Sequence, residues 1–150
     1  MSLRFVTLLL LLSAALSVPL VSHAGGETPA NSYNVVQVGN AVIGNDLNDA
    51  GDVVGDISVG GFQHACLWSN GALTDLGTLG GAGSSATGIN NLGQVVGWAE
   101  TSDGEVRAFL RSPNSAMQNL GTLGGTWSLA EGVNDAGQVV GSASDAEGTN

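Results

Sequence analysis

One eight-residue block occurs three times and dictates most of what this chain can fold into. Asn48-Asp49-Ala50-Gly51-Asp52-Val53-Val54-Gly55 returns as Asn90-Asn91-Leu92-Gly93-Gln94-Val95-Val96-Gly97, and again as Asn134-Asp135-Ala136-Gly137-Gln138-Val139-Val140-Gly141. The shifts are 42 and then 44 residues. Two further blocks recur between them in a constant order. His64-Ala65-Cys66-Leu67-Trp68 pairs with Arg107-Ala108-Phe109-Leu110-Arg111, and Asp75–Gly81 pairs with Asn119–Gly125. A period of this length marks one supersecondary unit per copy, stacked on its neighbours to complete a core.

Each block reads as β structure. In Asn-x-x-Gly the Asn side chain can close an Asx turn and the Gly supplies a positive φ. Asn48, Gly51, Asn90, Gly93, Asn134 and Gly137 are therefore the expected turn residues. The Val-Val that follows suits a pleated surface. The best-defined copy predicts strands over 85–90, 94–99, 106–111 and 117–121, with the Gly-Gly pairs as breakers. Nothing after residue 24 keeps a helical period over ten or more residues. The expected class is all-β.

Four short strands in about 43 residues match a β-propeller blade, and a β-trefoil-like barrel is the alternative. The boundaries predict a last strand over 33–39, repeat one over 41–83, repeat two over 84–127 and a half repeat over 128–150. The third counterpart of Arg107 falls one position past Asn150. Propellers have about four to eight blades. The expectation is a partial array: a fragment, a truncated product or one piece of an assembly. Its open β edges invite self-association.

Residues 1–24 have the pattern of a secretory signal peptide. Arg4 supplies a positive start, an apolar run from Phe5 to Leu16 follows, and Ser22-His23-Ala24 offers a cleavage site. The segment is at the short edge of a membrane anchor and is broken by Pro19. The expected location is outside the cytoplasm, extracellular or periplasmic, with no membrane span once the leader is removed. The remaining domain is 25–150.

The repeated blocks resemble the HAF-repeat family of exported bacterial, extracellular repeat proteins, named for a His-Ala-Phe triplet ahead of Leu-Trp. His64–Trp68 matches with Cys for Phe, and Arg107–Arg111 matches with Arg for His and for Trp. The resemblance covers about residues 41–150. It implies an exported β-repeat architecture and supplies no activity, because none is established for the family.

Charge and composition narrow the chemistry. The chain has 13 acidic residues against 3 basic ones, a formal charge of −10, and no Lys. That excludes a P-loop Lys, a Schiff-base Lys and a basic track for nucleic acid. The single Cys66 forms neither an internal disulfide framework nor a thiolate zinc site. Its counterpart is Phe109, so it reads as a buried apolar choice. His64 has Arg107 as its counterpart and reads as structural, with no nucleophile elbow to accompany it.

Asp46–Gly51 departs from a calcium loop at Ala50 and Ile57, which leaves a hairpin turn. Gly81–Ala86 fits a loose dinucleotide pattern but precedes a strand. No catalytic residue, metal ligand or cofactor is assigned.

Trp68, Trp98 and Trp127 do not recur between copies, as core residues would, and are candidates for stacking on a sugar or anchoring a partner. Arg107 and Arg111 share one face of a strand and can meet an anionic ligand, or pair with Asp75 or Glu105. The expected function is a non-catalytic binding or surface-interaction module with a glycan or protein partner. The alternative is a fragment of a propeller-scaffold extracellular hydrolase acting on glycans, which needs converging acids. Asp49 and Asp135 recur, but Asn91 interrupts the series.

Overall fold

A computed structural model describes residue 38 and residues 42–148. The signal-peptide reading of 1–24 and nearly all of the 33–39 strand lie outside the described residues.

The described residues contain ten strands, paired antiparallel and joined by turns, and no helix. The first sheet is a meander of β1 (Ile43–Leu47), β2 (Val53–Val59), β3 (Phe62–Ser69) and β4 (Ala72–Gly77). The second repeats it with β5 (Gly80–Ile89), β6 (Val95–Thr101), β7 (Val106–Arg111) and β8 (Gln118–Asn119). The third pairs β9 (Gly124–Val133) with β10 (Val139–Asp145). The class is all-β, and no sheet among the described residues closes into a barrel.

The expected strand over 106–111 coincides with β7, whereas the one over 117–121 shrinks to two paired residues. The larger difference is at the glycine pairs. Gly80-Gly81 and Gly124-Gly125 open strands instead of ending them. The first of each pair takes a φ of 106° or 105°, which turns the chain into the new sheet. The second runs so close to the facing strand that a Cβ would lie 2.5 Å from Thr101 O, or 2.3 Å from Asp145 O.

The Val-Val-Gly glycines have an equally local cause. A Cβ on Gly55, Gly97 or Gly141 would lie about 2 Å from the carbonyl oxygen of Ile43, Ser85 or Leu129 on the preceding strand. Each strand pair has a register irregularity near this point, and only glycine fits the close approach.

The sheets pack face to face. Val54, Ala65 and Leu76 of the first sheet meet Ala86, Ile89, Val95, Ala99 and Phe109 of the second. The opposite face of the second sheet presents Val96 and Ala108 to Ala130 of the third, with Leu110 and Val133 at the margin. The second sheet is thus covered on both sides. This is why Ala108 and Phe109, adjacent in sequence and pointing to opposite faces, are both buried.

Candidate functional site

The three Asn-x-x-Gly turns lie side by side and are joined by hydrogen bonds. Within each, the Asn Oδ1 accepts two backbone N–H groups: those of Ala50 and Asp52 for Asn48, Leu92 and Gln94 for Asn90, and Ala136 and Gln138 for Asn134. Gly51, Gly93 and Gly137 have φ of 81°, 72° and 75°. The amide nitrogens then reach out of the turn. Asn48 Nδ2 donates to Asn90 O at 3.2 Å, and Asn90 Nδ2 donates to Asn134 O at 2.8 Å.

A second row runs beside this ladder. Asp49 N donates to Asn91 Oδ1, and Asn91 N donates to Asp135 Oδ1, both at 2.8 Å. Asn91 Nδ2 donates to Asp49 Oδ2 at 2.9 Å and to Asp135 Oδ2 at 3.1 Å. Two solvent-facing carboxylates are therefore brought together on either side of one amide. The position that breaks the acidic series in the sequence is the one that holds the neighbouring acids. A third carboxylate there would have no amide protons to share and would repel both neighbours.

Serines join the sheets at a deeper level. Ser84 Oγ accepts the Ala65 N–H at 2.8 Å and donates to Gly77 O, bridging β3 and β4 where their register slips. Ser128 does the same one sheet later with Ala108 and Gly121. Both serines are buried. The only sequence signal for these links was recurrence at the same 44-residue shift, in a block whose most visible feature is glycine.

The predicted ligand-contact residues are scattered. Trp68 lies on β3 opposite Val53 and Leu73, Trp98 on β6 opposite Ser85 and Ala108, and Trp127 on β9. All three are half-buried, so each offers a ring edge or part of a face. Arg107 is engaged: it pairs with Glu105 and donates to Thr126 O. Arg111 is half-buried at the end of β7, without an ion pair among the described residues. The two arginines share one strand face but differ in availability.

His64 Nδ1 lies 3.0 Å from Asp75 Oδ2, a side-chain pair linking neighbouring strands. Cys66 is fully buried, and burial with the nearby Asp56 and Asp75 charges pushes its thiol up to about 11. Such a thiol is a poor nucleophile at neutral pH. Asp56 is buried and accepts from Asn45 through Oδ2. Among the described residues there is no cluster of three His, Cys, Asp or Glu residues suited to a metal ion, and no helix long and apolar enough to cross a membrane. No protein-family model, curated protein or solved structure matches the chain.

Proposed function

We propose that this chain is an exported, non-catalytic β-repeat protein of the propeller type, serving as a binding or surface-interaction module. The observation that carries this reading is the turn-to-turn ladder through Asn48, Asn90 and Asn134. It joins equivalent turns of successive sheets, which supports a stacked-repeat arrangement of the propeller type. The residues with the greatest chemical potential are committed to structure: His64 to Asp75, Cys66 to the core, and Arg107 to Glu105 and Thr126. The ligand is a glycan or a protein surface reached by the partly open tryptophan rings and Arg111. Glycan-array binding by the purified chain tests this. Retained signal with no released reducing sugar supports the module, and Trp98→Ala should weaken it.

A second reading has one specific observation in its favour. Asp49 and Asp135 converge on Asn91, and paired carboxylates are the machinery of glycoside hydrolysis. Turnover of a polysaccharide that is lost in both Asp49→Asn and Asp135→Asn would favour a hydrolase fragment. In the binding module, both variants change stability and release no sugar.

A further inference from the structure

Asn70-Gly71 is the single Asn-Gly dipeptide of the sequence, and it forms the two-residue turn between β3 and β4. Both residues take positive φ, 50° and 81°, as a type I′ hairpin turn requires. Ser69 and Ala72 close the ladder directly below. Both turn residues are exposed, and nothing lies within 4 Å of where a Gly71 Cβ would stand. The Asn70 side chain donates from Nδ2 to Ser69 Oγ at 3.1 Å, on the surface, where water competes for the bond.

The asparagines of the turn ladder differ in the nitrogen that follows them. After Asn48 the Asp49 N–H is held by Asn91 Oδ1, and after Asn90 the Asn91 N–H is held by Asp135 Oδ1. The Gly71 N–H makes no such bond among the described residues. Without a Cβ beside it, this nitrogen is also the least shielded that can follow an asparagine.

We propose that Asn70 is a site of spontaneous deamidation, at which the chain ages into an isoaspartate-containing form. The Gly71 nitrogen attacks Asn70 Cγ and closes a five-membered succinimide, and the side-chain nitrogen leaves as ammonia with the proton that Gly71 gives up. Water then opens the ring. Breaking the bond between the nitrogen and Cγ yields aspartate. Breaking the bond between the nitrogen and the main-chain carbonyl carbon yields isoaspartate, with the chain rerouted through Cβ and Cγ.

Isoaspartate lengthens the main chain by one carbon, and a two-residue turn has no slack to absorb it. The pairs Ser69–Ala72, Trp68–Leu73 and Leu67–Thr74 lie next to the tip, and Leu67 packs against the core shared with the second sheet. The modification therefore loosens β4 from the end of the hairpin inward. Asp103-Gly104 is an internal reference: its glycine is equally open, with a φ of 79°, but an ionised carboxylate resists attack by an amide nitrogen.

The test is incubation of the full chain at 37 °C between pH 7 and 9, followed by peptide mapping and isoaspartyl methyltransferase labelling. A gain of about 1 Da is expected at Asn70, at least about tenfold faster than at Asn90 and faster as pH rises, with isoaspartate among the products. Asn70→Gly copies the Gly60-Gly61 turn between β2 and β3, where φ is 59° and 90°, so the hairpin should be kept and the labelling lost. Aged wild-type chain should melt below fresh chain, and aged Asn70→Gly should melt as fresh. Conversion at Asn70 no faster than at Asn90, or aspartate without isoaspartate, would overturn the proposal. So would equal losses of melting temperature in the aged wild type and aged Asn70→Gly. If that variant does not fold, mapping of the wild-type chain decides alone.

Discussion

Asn90 Nδ2 donates to the main-chain oxygen of Asn134 at 2.8 Å, across 44 residues of sequence. The same side chain closes its own turn through Oδ1 and reaches Gln94 Oε1 with its amide. One residue type therefore sets the local turn and joins it to the next. Asn90 is only 4% exposed, so its bonds are made away from water and leave orphaned partners when removed.

Replacing Asn90 by Ala should lower stability by about 2–4 kcal/mol. Asn134→Ala should cost about 1 kcal/mol, because Asn134 is exposed and water replaces the lost partners. Urea denaturation of both variants, compared at fixed m-value, measures the difference.

Gly97→Ala should be among the most damaging single-methyl changes in the chain. The new Cβ would lie 2.0 Å from Ser85 O and 3.0 Å from the Phe109 ring. Ser85 cannot move without opening the β5–β6 pair, nor Phe109 without disturbing the β6–β7 pair and the core around it, and a loss of about 3 kcal/mol or more is expected. Gly104→Ala provides the contrast. Its φ of 79° is unfavourable for alanine, but nothing lies within 4 Å, so about 1–2 kcal/mol is expected. Thermal melts of the two variants rank them directly.

The repeat made the strands and turns legible because alternation and Asn-x-x-Gly are local signals. β7 lies where Val106–Arg111 predicts it. What was not legible depends on which strands become neighbours. Gly80 and Gly81 look like breakers until a close-packed facing strand explains them. The Asn91 amide looks like an interruption until the turns are stacked and it is found between Asp49 and Asp135. The tryptophans stand out by failing to recur, and that alone does not say how far each ring is covered. Stacking is a long-range property, and the sequence encodes it only through recurrence at the repeat shift.

Ser84→Ala should uncouple the first and second sheets without disturbing either hairpin. Its hydroxyl bridges the Ala65 N–H and the Gly77 carbonyl in a fully buried position. Two backbone groups lose a partner where water does not reach, and about 2–3 kcal/mol is expected. Hydrogen exchange should show the Ala65 amide losing protection while the Leu67 amide, inside the first sheet, keeps most of its own.

Cys66 makes a prediction about alkaline pH. Its thiol is raised from 9.0 to about 11, first by burial and then by the charges of Asp56 and Asp75. The folded state therefore holds the proton more tightly than the unfolded state between those values. Stability from this group is intact below pH 9 and falls as pH rises toward 11. Cys66→Ala should flatten that part of the stability profile, measured by urea midpoints from pH 8 to 11. Native chain at pH 8 should react with a thiol reagent at least about tenfold more slowly than unfolded chain.

The stacked-turn account is tested most directly by solvent exchange of the Asn90 side-chain amide protons, followed by NMR on uniformly labelled chain. Asn119 is the internal reference: it is exposed, and its Oδ1 accepts the Gly121 N–H. The account predicts exchange at Asn90 at least about a hundredfold slower than at Asn119, with Asn48 similarly protected. Exchange of the Asn90 amide at the rate of Asn119 would contradict it, because the turn-to-turn bonds that hold the sheets in register would not exist.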